Sequence, residues 1–124
     1  MGYRSEVAIK VYGNEEKMVD FKKAYDEAYT KLPELEQGWI NDCIKADARN
    51  GFCGGIFTFV AEDVKWYEEY VNVAFFTELL EKVDDLGVNS EFIRIGESDG
   101  DIETEYQGDD CEYYLGVIRM IDGI

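Results

Sequence analysis

Apolar and polar residues alternate from Ser5 to Tyr12, with Val7, Ile9 and Val11 on one side and Glu6, Ala8, Lys10 and Tyr12 on the other. A two-residue period sends successive side chains to opposite faces, so this segment predicts a half-buried β-strand, ended by Gly13-Asn14. The period then changes. Met18, Phe21, Tyr25, Ala28 and Leu32 recur at steps of three and four, the spacing of an amphipathic helix. Asn14 stands where a helix cap belongs, and Glu15 and Glu16 place negative charge against the positive end of the helix dipole. Pro33, the one proline, kinks or ends that helix.

The stretch from Glu34 to Gly55 carries the weakest pattern; Trp39, Ile40, Cys43 and Ile44 are spaced for one short helical face, and Asn50-Gly51 and Gly54-Gly55 mark turns. Ile56 to Ala61 predicts a central strand, extended after a kink or followed by a second piece at Val64–Tyr67. Asn72 is placed to cap a second long helix, whose stripe is Val73, Phe76, Leu79, Leu80 and Val83, with Gly87 at a left-handed terminus. Phe92 to Ile95 reads as a third strand and Tyr113 to Ile121 as a fourth, joined by a long hairpin or its loop. The order β-α-β-α-β-β predicts a single-domain α+β sandwich over residues 1–124, with a mostly antiparallel sheet and helices on one face.

Composition narrows the partners more than the fold. With 46% hydrophobic and 15% aromatic residues, the 124-residue chain has the material for a core and does not read as an acidic disordered tail. Twenty-eight acidic residues face 12 basic ones, a net charge of −16, so the average field repels nucleic acid and anionic membranes. Three cysteines without a CxxC pair argue against a disulfide framework or zinc ribbon and fit a reducing cytoplasm. The N-terminal residues lack a signal-peptide h-region, and no apolar run approaches the roughly 18–20 residues that span a bilayer. The expectation is a cytoplasmic protein of a bacterial cell.

The charge is concentrated. Every odd position from Glu97 to Glu105 is a carboxylate (Glu97, Asp99, Asp101, Glu103, Glu105), Asp109 and Asp110 follow, and no Lys or Arg interrupts the run between Arg94 and Arg119. In an extended segment such residues form a ladder spaced roughly 6.6–6.8 Å apart. Three readings are open. The ladder is a solvated edge whose like charges discourage edge-to-edge pairing. It is a decoy that imitates phosphates and occupies an Arg- or Lys-lined groove of another protein, although its spacing exceeds the roughly 3.4 Å rise per phosphate. Or Asp99, Asp101 and Glu103 supply oxygen ligands to Ca²⁺ or Mg²⁺, although Gly100 is misplaced for an EF-hand loop and no glutamate closes the frame.

Catalytic chemistry has little to stand on. The chain contains no histidine, which removes the commonest general base near neutral pH. Cys53 beside Gly54-Gly55 has no histidine partner and reads as a small buried residue. The glycines at 51, 54 and 55 lack the GK[ST] of a phosphate loop, so no cofactor is expected. A ligand pocket is the alternative. Trp66, Tyr67 and Tyr70, with Tyr113 and Tyr114, offer stacking surfaces, while Arg4, Arg94 and Lys65 offer charge for a phosphate. The ordinary fate of these groups is a core and its rim, with the arginines paired to carboxylates.

Three segments carry a resemblance: Met1-Gly2-Tyr3-Arg4-Ser5-Glu6-Val7-Ala8-Ile9, Val64-Lys65-Trp66-Tyr67-Glu68, and Phe92-Ile93-Arg94-Ile95-Gly96-Glu97. In these the chain resembles a group of small uncharacterised bacteriophage and prophage proteins. The resemblance implies a phage-associated origin and supplies no activity or site residues. The leading expectation is a non-enzymatic inhibitor of a host nucleic-acid-handling or defence system, acting through its acidic face on a basic protein surface. The rivals are a nucleotide or signal-molecule binder and a structural or assembly module.

Overall fold

The alternating segment becomes β1 (Ser5–Tyr12), the middle strand of a five-stranded sheet. The structure, a computed structural model, describes residues 4–67, 69–98 and 100–108. Along the chain follow α1 (Glu15–Thr30), α2 (Glu34–Ala46), β2 (Gly51–Cys53), β3 (Ile56–Val64), α3 (Val71–Glu81), α4 (Val83–Leu86), β4 (Asn89–Gly96) and β5 (Ile102–Gln107). The strand order is β2-β3-β1-β4-β5 and every neighbouring pair is antiparallel. The fold is α+β with helices packed on one sheet face, as the sequence pattern predicts.

Register decides which residues meet those helices. Ile9 lies opposite Phe59 on one side and Phe92 on the other, and Val11 opposite Phe57 and Ser90. Directly paired residues share a face, so Val7, Ile9, Val11, Phe57, Phe59, Ala61 and Phe92 form one apolar surface. Met18, Phe21 and Tyr25 of α1, Ile40 of α2, Phe75, Phe76 and Leu79 of α3 and Val83 of α4 pack on it. Each fully buried side chain of this size stabilises the fold by about 1.5–3 kcal/mol. Rings form a continuous path through the core: Phe52–Phe57 at 4.8 Å, Phe57–Tyr25 at 5.2 Å, Tyr25–Phe75 at 5.3 Å, Phe75–Phe76 at 4.9 Å, then Phe76–Trp66 at 6.0 Å and Trp66–Phe92 at 6.2 Å. On the opposite sheet face the Tyr12 hydroxyl donates to the buried Glu91 carboxylate.

Local chemistry sets the boundaries. The Asn14 side chain accepts from the Lys17 amide, capping α1 as its position predicts. Pro33 separates α1 from α2 and stands at the α2 N-cap. Gly54 and Gly55, both at positive φ (58° and 78°), meet the requirement of a two-residue type I′ hairpin between β2 and β3. Gly87, at φ 71°, closes α4 in the left-handed conformation. β3 carries one extra residue relative to β1 between Ala61 and Val64, and Asp63 there takes a positive φ of 54°.

Several expectations are corrected. The stretch from Glu34 holds a full helix, because Trp39, Cys43 and Ile44 flank the buried Ile40 on one narrow stripe. Asn72 is not a cap: α3 begins at Val71 with Tyr70 at the N-cap and no side-chain cap bond. The stripe ending at Val83 is broken at Lys82 into two helices. Cys53 is exposed on the edge strand rather than buried. The strand that pairs with β4 lies within the acidic run, at Ile102–Gln107. The strand expected at Tyr113–Ile121 falls outside the described residues.

Asn50 ties α2 to the sheet. Its side-chain amide accepts from the Val60 N–H at 2.6 Å and donates to the Val60 carbonyl at 2.9 Å, standing in for a peptide unit just where β2 stops. It also donates to the Cys43 carbonyl near the end of α2, at 3.0 Å. Asn50→Ala should lower unfolding free energy by about 1–3 kcal/mol in urea titrations, with the far-UV spectrum retained, because Val60 loses both partners. A second expectation concerns alkaline pH. Burial, with help from neighbouring Tyr29 and Asp26, pushes the Tyr25 phenol from its ordinary 10.0 to about 12. A folded pKa above the unfolded one gives stability that is whole below pH 10 and lost as pH rises toward 12. Thermal melts of Tyr25→Phe across that window should therefore fall less steeply with pH than those of the parent.

Candidate functional site

A groove of about 580 Å³ opens between α3 and strands β4 and β5 on the helix side of the sheet. It exists because β5 overhangs: its main contacts are with β4, so the strand extends past the helices that cover the rest of that face. The helix wall is a single stripe of α3, with Val73, Thr77, Leu80 and Glu81 at helical spacing. The sheet wall is one face of two strands. Arg94 lies opposite Glu103, Phe92 opposite Glu105 and Ser90 opposite Gln107. Trp66, Tyr67 and Glu69, from the segment between β3 and α3, line the groove as well. Trp66 is half-buried and sits on the aromatic path of the core between Phe76 and Phe92.

Among the described residues Arg94 is the one cation lining this groove, and its hydrogen-bonding capacity is largely taken. Nε donates to Glu103 at 2.9 Å, Nη2 to Asp101 at 2.9 Å, and Nη1 to Asp101 at 3.3 Å and to the Ser5 hydroxyl at 3.1 Å. The side chain is only 17% exposed. These bonds, that to Asp101 first, hold the guanidinium above its ordinary pKa, against the opposing effect of burial. Two carboxylates of the acidic run are thus partners of Arg94 and form no open ladder. Glu105 accepts from Gln107 Nε2 at 2.8 Å and remains exposed. Glu97, at the far end of the hairpin, accepts from the Arg4 amide at 2.8 Å. Asp99, Asp109 and Asp110 lie outside the described residues.

The residues expected to form a ligand pocket divide. Trp66, Tyr67 and Arg94 come together in the groove. Arg4 does not join them: its Nη1 donates to the Asp63 carbonyl at 3.1 Å in a separate cleft with Glu6, Glu62 and Glu97. Lys65 does not line the groove. Tyr70 packs edge-on against Tyr67 with ring centres 5.2 Å apart. Glu69 and Glu81 were not anticipated, although Glu81 directly follows the apolar stripe of α3, a position that borders whatever the stripe covers. Among the described residues no group of three or more His, Cys, Asp or Glu side chains is arranged to hold a metal ion. Nor is any described helix long and apolar enough to cross a membrane.

The chain matches no protein-family model, no curated protein and no solved structure. The site must therefore be read from its own chemistry. Arg94 joins β1, β4 and the start of β5, and its loss removes the bonds to Ser5, Asp101 and Glu103 together. Arg94→Gln should cost about 1–3 kcal/mol of stability. It should also speed amide exchange in residues 102–107 while β1 and β3 stay protected. Arg94→Lys should recover part of the loss, because an ammonium replaces only one prong of the guanidinium fork.

Proposed function

We propose that the protein is a phage-encoded, non-enzymatic binding protein that engages a basic surface on a host protein and so inhibits a nucleic-acid-handling or defence system. The observation that carries this reading is the imbalance in the groove. Among the described residues four carboxylates line it, Glu69, Glu81, Glu103 and Glu105, against a single guanidinium that is already paired. Glu97 extends the negative surface along the hairpin, and the net charge of −16 gives it a favourable long-range field toward cations. A phosphate-bearing ligand is disfavoured, since it must displace Asp101 and Glu103 from Arg94 and approach three further carboxylates. The phage origin rests on the resemblance of the Met1–Ile9, Val64–Glu68 and Phe92–Glu97 segments. A small ligand in the same groove is the second reading, favoured by the cavity volume and by the convergence of Trp66 and Tyr67.

The test is capture of proteins from bacterial lysate with the full chain, followed by calorimetry on the purified captured protein. The expected partner binds nucleic acid, is released by salt, and competes with nucleic acid for this chain. The triple variant E97K/D99K/E105K spares Asp101 and Glu103 and should weaken binding at least about tenfold, roughly 1.4 kcal/mol, with little change in Tm. Unaltered affinity of that variant sinks the acidic-surface reading.

A further inference from the structure

We propose that the groove between α3 and β5 receives an arginine side chain from a basic segment of the protein partner, with the guanidinium set against Trp66 and between the carboxylates of the two walls. This rests on the reading that the partner presents a basic protein surface, and it names where on the chain that surface is read. Charge complementarity selects the occupant. Glu69 and Glu81 border the groove on the α3 side and Glu105 on the β5 side, all exposed. Neither Glu69 nor Glu81 has an ion-pair partner among the described residues.

Aromatic surface then favours guanidinium over ammonium. Trp66 offers the best side chain for a cation–π contact, and its ring is held by Phe76 and Phe92 at 6.0 and 6.2 Å. A planar, weakly hydrated guanidinium stacks on such a ring and still presents in-plane N–H groups to carboxylates, whereas an ammonium gives up more hydration on entering a half-enclosed site. The chain already contains the carboxylate half of this recognition. Arg94 lies on this sheet face and is gripped by Asp101 and Glu103 through bonds of 2.9 Å, next to where the guest would sit. The volume of about 580 Å³ falls within the roughly 300–1,000 Å³ of ligand pockets, leaving space for the guest's aliphatic stem beside Leu80 and Phe92.

The chain has two tryptophans, so a Trp39→Phe background leaves Trp66 as the single indole reporter. Titration of the ¹⁵N-labelled full chain with a blocked hexa-arginine peptide at low ionic strength should move the Trp66 indole resonance saturably. A hexa-citrulline peptide, isosteric and uncharged, should not move it. The E69Q/E81Q variant changes only exposed residues outside the acidic run and should bind the arginine peptide at least about tenfold more weakly. Equal binding by E69Q/E81Q, or binding that leaves the indole unmoved, overturns the groove assignment. If E97K/D99K/E105K still abolishes that binding, the acidic-surface reading stands. Absence of any binding of hexa-arginine to the parent chain overturns both. A nucleotide that moves the Trp66 indole where the arginine peptide does not overturns the arginine assignment in favour of a small ligand.

Discussion

β1 is the element on which the arrangement depends. It is hydrogen-bonded along both edges, to β3 and to β4, and its Val7, Ile9 and Val11 side chains are at most 1% exposed. Its placement leaves β2 and β5 as the outer strands, and each is blunted in its own way. β2 is three residues long, with Asn50 supplying a side-chain substitute for the next pair. β5 carries Glu103 and Glu105. A short edge and a charged edge are both effective against further strand addition, because an incoming strand finds few partners on one and like charge on the other. The solvated-edge reading of the acidic run is therefore compatible with a recognition role. The same carboxylates that deter a strand would attract a cationic side chain under the proposed function.

Arg94 makes that charged edge tolerable. The β4–β5 pairing sets Glu103 opposite Arg94, and Asp101, two residues earlier, adds a second like charge beside it. One guanidinium at 17% exposure answers both and adds a bond to Ser5, so a single side chain connects three strands. Desolvating Arg94 costs free energy, and the fork geometry of its bonds is what offsets it. Paired carboxylates contribute little to an external partner, whereas Glu69, Glu81 and Glu105 retain their field.

How far the sequence reveals this architecture follows from where each signal resides. β1 and α1 were readable because their periods are unbroken and Asn14 is a capping residue in the right place. α2 was obscured by Gly38 and by a buried face only a few residues wide. β5 was hidden by its charge: Ile102, Thr104 and Tyr106 alternate as strand residues should, but the carboxylates between them drew attention to chemistry rather than pairing. The groove was half-visible. Trp66 and Tyr67 are chain neighbours, and Arg94 reaches them through β4. Arg4 shares the residue type of Arg94, yet its position before β1 carries it to Asp63 and Glu97. Glu69 and Glu81 become site residues only through the packing of α3 over the overhanging β5, a long-range relation that no local pattern encodes.

The shape of the negative surface decides what kind of cation it suits. A straight ladder from Glu97 to Glu105 would present evenly spaced charges to any basic stretch, with little selectivity and strong screening by salt. The folded chain does something different. It neutralises the middle of the ladder on Arg94 and returns charge from another element, so the remaining carboxylates stand on opposite sides of an aromatic-floored groove. Low-dielectric walls focus field lines into such a cleft, and the interactions inside it are screened less than those on an open edge. Under the proposed function, steering and selection separate: the hairpin carboxylates would attract a basic surface at a distance, and the groove would discriminate among its side chains by planarity and hydration. A chain with a net charge of −16 has attraction in excess; what the packing of Trp66 against Phe76 and Phe92 adds is a place where only one geometry of cation gains the full benefit.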